Sequence, residues 1–326
     1  MQAAFERAEY AARNAETQRT MAARGIEALV VSDPANMYYL TGYDGWSFYV
    51  PQAVVVVASE AQPVWIGRPA ERGPVPGVVT FSTGNHGMGV AYVARRLGLP
   101  AYVCLPDVVP QTKLDGLRRL GVVATPSGPT QEDAARRTEE IEREQGLVAI
   151  SPIDGPDIIA GQGTIGIELL EDDPNVDTVL VPLSGGGLLS GVALSVKANS
   201  PRTRVIGVCA QAARAMYESV RAGGPIDFQE SQTVADSLRG GIGMENRHTL
   251  RMVRELVDDI VLVSEAEIEQ AMGFLLREER MVVEGAAAVG VAALLSGRVR
   301  ARARTTALIT GRNVASDVLA RLGTQI

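Results

Sequence analysis

The stretch "VLVPLSGGGLLSG", residues 179–191, decides the fold of most of this chain. An apolar run, three consecutive glycines and a second apolar run are the pattern of a buried strand, a tight turn and a helix. Glycines let backbone N–H groups approach an anion closely, and the N-terminus of a helix adds a favourable dipole. The stretch therefore predicts a phosphate-binding turn, with a glycine-rich turn that binds no ligand as the alternative.

The spacing of the same turn does not favour a dinucleotide. Gly185, Gly187 and Ser190 approximate a G-x-G-x-x-G/A pattern, but that pattern needs an acidic residue about 20 positions further on to hold the ribose. The corresponding segment, "RVIGVCAQAA" (204–213), contains neither Asp nor Glu. A Walker pattern also fails, because no Gly-Lys-Ser/Thr follows. A phosphorylated or mononucleotide-like cofactor fits the turn better.

Outward from the turn, apolar strands alternate with amphipathic helices from Val78 onward, which predicts an α/β fold with parallel sheets covered by helices on both faces. The predicted strands of this region are 78–82, 101–106, 122–127, 177–184, 204–210, 258–265 and 305–310. Helices are predicted over roughly 86–97, 111–120 and 131–145, after the glycine turn, after 204–210 and, twice, after 258–265.

The N-terminal part has a different rhythm. It predicts a helix over 5–24, strands at 26–33, 53–59 and 63–67, and a short helix at 34–42. The segment "RPAERGPVPG" is dense in proline and glycine, which is typical of a junction. The predicted organisation is a first segment at 1–68, a linker at 69–77 and a second region at 78–326.

A second candidate loop, "FSTGNHGMG" (81–89), follows a predicted strand. The hydroxyls of Ser82 and Thr83, the amide of Asn85, and the backbone at Gly84 and Gly87 can together hold a carboxylate or a phenolic oxygen. The alternative is that Ser82 and Thr83 only cap the helix that follows. Thr310, in "ALITGRN", is a third candidate, since ligands gather at the carboxyl ends of parallel strands, and a core threonine is the alternative.

Composition limits the classes of partner. A net charge of −7 over 326 residues gives no support to a nucleic-acid partner. No apolar run reaches the length of a membrane span, and the N-terminal residues do not follow a signal-peptide pattern. Cys104 and Cys209 lie far apart in apolar runs, as buried thiols of a cytoplasmic protein would. No group of His, Cys, Asp and Glu has metal-ligand spacing, so no metal site is predicted.

Five motifs in this order resemble the threonine/serine dehydratases, which are pyridoxal-phosphate lyases of fold type II. They are "STGNHGMGVAYVARRLG", "DGPDIIAGQGTIGIEL", "VPLSGGGLLSG", "TVADSLRGGIG" and "ALITGRN". "DSLRGG" makes the chain similar to the hydroxyectoine-utilisation branch of that family. The resemblance covers about residues 75–326, with a small domain at about 80–146 and the remainder of a large domain at 147–326.

The resemblance implies a role for each candidate residue. The residues that would cradle the cofactor phosphate are Ser184, Gly185, Gly186, Gly187 and Leu188. Asn85 would hydrogen-bond the pyridine 3′-oxygen, and Thr310 would meet the pyridine nitrogen. The loop that grips the substrate carboxylate would consist of Ser82, Thr83, Gly84 and His86, and Thr83 also matches a position where the family places a hydroxyl near the substrate Cα. The family reaction removes the Cα proton, expels the β-hydroxyl and releases a 2-keto acid and ammonia.

Residues 21–68 resemble something else, the N-terminal domain of creatinase/prolidase-type hydrolases and in particular of ectoine hydrolase. The fold expected for the whole chain is therefore a partial creatinase-like α/β segment followed by the dehydratase-like region. Both resemblances point to ectoine and hydroxyectoine breakdown.

The chain departs from the dehydratase pattern at its lysines. In that family the Schiff-base lysine precedes the asparagine loop in a Ser-Phe-Lys segment, whereas this sequence contains only Lys113 and Lys197. We expect pyridoxal phosphate to bind non-covalently at most, beside a small amino-acid-like ligand, in a possible homo-oligomer. Three hypotheses stay open: a lyase, a non-catalytic ligand-binding protein, and a gene-fusion product without a function of its own.

Overall fold

The computed structural model describes residues 7–26, 28–31, 53–57, 64–66, 76–82, 84–107, 109, 111–229 and 231–323. The chain divides into two compact units, Met1–Pro74 and Val75–Ile326.

The first unit contains helix α1 (Arg7–Ala23) and a three-stranded antiparallel sheet. Its strands are β1 (Ala28–Val31), β2 (Ala53–Val57) and β3 (Val64–Ile66), in the order β1-β2-β3. Their β-branched residues favour extended backbone. The short helix predicted at 34–42 lies outside the described residues.

The second unit begins with a four-stranded sheet in the order β6-β5-β4-β7, with every neighbouring pair parallel. The strands are β4 (Val78–Phe81), β5 (Ala101–Leu105), β6 (Val123–Pro126) and β7 (Val148–Ala149). The helices that pack on them are α2 (Asn85–Arg96), α3 (Gln111–Arg119) and α4 (Gln131–Gln145).

Successive residues of β5 point to opposite faces of this sheet, which is why helices cover both. Val103 belongs to a cluster with Ala91 of α2 and Leu117 of α3. Cys104, the next residue, packs with Ile141 of α4 instead.

A second parallel sheet has the order β10-β9-β8-β11. Its strands are β8 (Thr178–Pro182), β9 (Arg204–Ala210), β10 (Asp259–Val263) and β11 (Thr305–Ala307). The helices of this part are α5 (Pro156–Asp172), α6 (Gly187–Asn199), α7 (Ala215–Ala222), α8 (Thr249–Leu256), α9 (Glu265–Arg277), α10 (Gly285–Leu295) and α11 (Ser316–Gly323).

This sheet is also covered on both faces. Val181 of β8 packs with Leu189 and Val192 of α6. Leu180 belongs to the opposite cluster, which includes Met272 of α9. The predicted α/β fold with parallel sheets flanked by helices is thereby confirmed.

The last strand is shorter than predicted. β11 ends at Ala307, whereas the sequence predicted a strand over 305–310. Leu308 N still donates to Leu180 O, but the Gly311 carbonyl accepts from Glu284 N at the start of α10. The chain leaves the sheet because its backbone bonds to α10, so Thr310 lies three residues beyond the strand end.

Helix α5 contains three glycines, an unfavourable composition for a helix, and it packs against α6. A Cβ on Gly191 of α6 would lie 2.3 Å from Ile159 O and 2.7 Å from Gly163 N. The backbones of α5 and α6 therefore approach too closely for any side chain at Gly191. This contact fixes the helix that follows the glycine turn.

We expect Gly191→Ala to lower the free energy of unfolding by about 1–3 kcal/mol, because the added methyl group must displace the backbone of α5. Urea denaturation measures the change. Gly161→Ala on the exposed face of α5 is the matched control, since a Cβ there has no neighbour within 4 Å. The control should gain stability by up to about 1 kcal/mol from helix propensity. Equal effects of the two substitutions would contradict the close approach.

Candidate functional site

The glycine turn after β8 ends in a helix N-terminus without a side-chain cap. Gly186 occupies the cap position of α6 with φ +97°, and no acidic residue lies in the first turn. Helices α4 and α9 carry complete capping boxes, Thr130 with Asp133 and Ser264 with Glu267. The first amides of α6 have no such side-chain acceptor, so their positive end is available to an anion.

The glycines of this turn are required by their surroundings. A Cβ on Gly185 would lie 2.6 Å from Ile153 Cγ2, and one on Gly187 would lie 2.9 Å from Ile153 O. A Cβ on Gly186 would lie 2.8 Å from Met216 Cε. The turn therefore presents backbone to a ligand, as a phosphate cradle must. Its other predicted members, Ser184 and Leu188, are half-buried.

The second candidate loop, at 81–89, also leads into a helix that begins without a side-chain cap. Gly84 is the cap residue of α2, which has no side-chain cap and no acidic residue in its first turn. Ser82 is buried, and its Oγ accepts the N–H of Gly84 at 3.1 Å instead of capping the helix amides. Thr83 lies outside the described residues. A second helix N-terminus is thus open, at the carboxyl end of β4.

Asn85, the first residue of α2, is held by a buried carboxylate. Its Nδ2 donates to Glu284 Oε1 at 2.7 Å, and Glu284 is only 2% exposed. The other oxygen, Oε2, accepts the backbone N–H of Asn313 at 3.2 Å. A Cβ on Gly311 would lie 2.9 Å from Asn85 Nδ2. The end of β4 therefore meets the segment after β11, next to the exposed Thr310.

The ring of His86 is fixed to the sheet. Thr80 Oγ1 donates to Ile150 O at 2.6 Å, and His86 Nε2 lies 3.0 Å from that hydroxyl and 3.2 Å from the same carbonyl. Since a carbonyl only accepts, Nε2 carries the proton. Burial lowers the pKa of His86 below its ordinary value, although the bond to Ile150 opposes this. His86 thus binds the loop to β4 as a neutral ring.

Lys197 lies at the opposite end of α6 from the glycine turn. Its Nζ donates to Thr203 O at 2.8 Å and to Asp258 Oδ2 at 2.7 Å. Ten residues of helix separate it from Gly187, which is about 15 Å. Lys113 is in α3, and its side chain lies outside what the structure describes.

Other kinds of site find no support in the described residues. They contain no group of three or more His, Cys, Asp and Glu side chains that could hold a metal ion. Among the same residues, no helix has both the length and the apolar character needed to cross a membrane. Cys104 and Cys209 are buried and free, and burial raises the pKa of the Cys209 thiol to about 12.

Comparison with known proteins identifies relatives of this chain. The family model described as "Pyridoxal-phosphate dependent enzyme" matches residues 39–311. A putative threonine dehydratase of Sinorhizobium fredii is 46% identical over 239 residues, covering 73% of this chain and 72% of that protein. An L-threonine ammonia-lyase of Thermotoga maritima is 37% identical over 246 residues, covering 76% of this chain and 61% of that protein.

A solved structure shares the fold. Maize serine racemase is 34% identical, with a TM-score of 0.71 over 77% of this chain and 78% of that one. The parallel sheets flanked by helices therefore belong to a fold that this solved structure shares.

We expect Glu284→Gln to lower the free energy of unfolding by about 1–3 kcal/mol. Two donors converge on the two carboxylate oxygens, and a glutamine offers only one oxygen, so one donor would face an NH₂ group. Chemical denaturation tests this. Glu278→Gln, at an exposed position, is the control and should change stability by less than about 0.5 kcal/mol. An unchanged stability in E284Q would contradict the buried contact.

Stability should also depend on pH through His86. Because the folded-state pKa is lowered, the unfolded chain binds more protons below the ordinary histidine pKa of about 6.5. The free energy of unfolding should therefore fall as the pH drops below that value. Urea titrations from about pH 7.5 to about pH 5.5 should show a smaller fall for His86→Asn than for the wild type. Identical pH dependences would show that the ring is not buried in its neutral form.

Proposed function

Since the chain belongs to the pyridoxal-phosphate dependent enzyme family, we propose that it is a threonine dehydratase-like protein that binds pyridoxal phosphate and a small amino-acid-like ligand without a covalent bond to the cofactor. The observation that carries this proposal is the pair of helices α2 and α6, which begin at glycine caps without a side-chain cap and have no acidic residue in their first turns. Two anions, a phosphate and a carboxylate, match two open helix ends.

The residues after β8 fit the phosphate. The amides that follow Gly186 have no side-chain acceptor and no acidic neighbour in the first turn. The members of this cradle are Ser184, Gly185, Gly186, Gly187 and Leu188. When bound, the pyridine ring of the cofactor supplies an electron sink for charge that develops at a ligand carbon.

The 3′-oxygen is assigned to Asn85. Its Nδ2 carries two hydrogens, of which one is donated to Glu284. The second is free to meet the phenolic oxygen, so Glu284 orients the amide for that contact. Thr310, exposed beyond the end of β11, is the proposed partner of the pyridine nitrogen.

The ligand carboxylate is assigned to the open end of α2, with its loop formed by Ser82, Thr83, Gly84 and His86. The imidazole Nε2 is already engaged by Thr80 and Ile150. In this proposal His86 contributes its backbone N–H and holds the loop in place, while its ring accepts no proton from the ligand.

We further propose that the family reaction is abolished or very weak in this chain. The family lysine forms the covalent anchor, and its released amine accepts the proton from Cα. Lys197 is ion-paired with Asp258 at the far end of α6. Neither that residue nor Lys113 matches the position of the family lysine.

Ectoine and hydroxyectoine breakdown is the proposed context. It is supported by the "DSLRGG" segment and by the likeness of residues 21–68 to the N-terminal domain of ectoine hydrolase. The two buried free cysteines are consistent with a cytoplasmic protein.

The test combines three measurements on the purified chain with added pyridoxal phosphate. We expect a saturable rise in melting temperature, because the ligand binds the folded state. Borohydride treatment should leave the mass of the denatured chain unchanged, and threonine or serine should yield no 2-keto acid.

A cofactor fixed by borohydride together with keto-acid release would establish the lyase hypothesis instead. No rise in melting temperature would support the hypothesis of a fusion product without a function. Gly185→Ala is the site variant and should weaken binding, because its Cβ would strike Ile153. Gly161→Ala, on the exposed face of α5, should bind as the wild type does.

A further inference from the structure

We propose that Asp154 is a positioning residue for the phosphate-binding turn. It lies in the segment between β7 and α5 and has no assigned role in the site described above. The inference rests on the proposed function, since it concerns how the turn that receives the phosphate is held.

The carboxylate of Asp154 binds the N-terminus of α8. It accepts the backbone N–H of Arg247 at 2.6 Å, of His248 at 3.0 Å and of Thr249 at 2.8 Å. His248 occupies the cap position of α8 and makes no side-chain cap of its own. Asp154 therefore supplies the cap of a helix that begins more than ninety positions later in the chain.

One wall of the glycine turn is the residue before Asp154. The positions where Gly185 and Gly187 would carry a Cβ lie against Ile153, at 2.6 Å and 2.9 Å. Ser151 Oγ accepts the N–H groups of Ile153 and Asp154, each at 3.2 Å. The local fold thus places Ile153 against the glycine turn and the carboxylate of Asp154 at the N-terminus of α8.

The other wall of the turn is Thr249, the last of the three residues whose N–H groups Asp154 accepts; these contacts of Asp154 are called the clamp below. Thr249, fully buried, places its Cβ 2.9 Å from the position of a Cβ on Gly186. Asn246 Nδ2 donates to Thr249 Oγ1 at 2.8 Å and fixes that side chain. One carboxylate consequently fastens together the residues that flank all three glycines.

Loss of this clamp should loosen the turn without removing any atom that touches the phosphate. The backbone N–H groups of Gly187 and its neighbours must point toward the same anion to bind it well. In a mobile turn they hold that arrangement for a smaller fraction of the time. The affinity for the phosphate group should fall, while the affinity for the rest of the cofactor should change little.

Asp133 provides a matched control within the chain. Its carboxylate also accepts a backbone N–H at a helix N-terminus, that of Thr130 at 3.1 Å. It belongs to the capping box of α4, which packs on the first sheet and not on the glycine turn. Removal of either carboxylate deprives backbone N–H groups at a helix start of their acceptor, but only Asp154 borders the phosphate turn.

The experiment measures the dissociation constants of pyridoxal phosphate and of pyridoxal for the wild type, Asp154→Ala and Asp133→Ala, with melting temperatures alongside. The dissociation constant of pyridoxal divided by that of pyridoxal phosphate reports the contribution of the phosphate group. We expect both variants to melt at lower temperature. The ratio should fall about tenfold in D154A, which corresponds to the loss of a charge-assisted contact network, and stay at the wild-type value in D133A.

An unchanged ratio in D154A, with a clear wild-type preference for the phosphorylated ligand, would overturn this inference and leave the proposed function intact. A wild type that binds pyridoxal as tightly as pyridoxal phosphate would overturn both. Should D154A not fold, Asp154→Asn keeps one acceptor oxygen and is measured instead, with a smaller fall in the ratio expected and an unchanged ratio contradicting the inference.

Discussion

The site depends on two helix N-termini whose first amides are left without a side-chain acceptor. Helices α2 and α6 both begin at glycine caps and carry no acidic residue in their first turns. Elsewhere the same chain caps helices fully, as Thr130 and Ser264 show. An uncapped helix end costs stability in the free protein, and a bound anion restores the missing acceptor. Helices α5, α7 and α10 also lack a side-chain cap of their own, but among the helices whose cap residue the structure describes, α2 and α6 are the ones that combine a glycine cap with a first turn free of acidic residues. That combination marks the ligand site.

Two acidic side chains hold these open ends in place. Glu284 joins Asn85 of α2 to the segment after β11, and Asp154 joins the loop before α5 to the start of α8. Each carboxylate is already bound by N–H donors of the protein. These carboxylates accept hydrogen bonds from the residues that position the site, and the first amides of α2 and α6 stay free for the ligand.

Local features of the site could be predicted, because strand, turn and helix patterns are properties of neighbouring residues. Strand β9 has the predicted bounds 204–210, and the glycine turn precedes a helix as expected. The end of β11 could not be predicted, since it is set by a bond between Gly311 and Glu284. The partners of Asp154 lie more than ninety positions away, so "SPIDGPD" alone indicates only a helix start. The fixed ring of His86 likewise depends on Ile150, which the tertiary fold supplies.

The central claim is that both open helix ends bind anionic groups of the ligands. Hydrogen–deuterium exchange with and without pyridoxal phosphate plus serine tests it most directly, because it reports on the amides themselves. The account predicts slower exchange in peptides covering residues 184–190 and 84–89, with no change at the capped starts of α4 and α9. Exchange at the starts of α2 and α6 that saturating ligand leaves unchanged would contradict it.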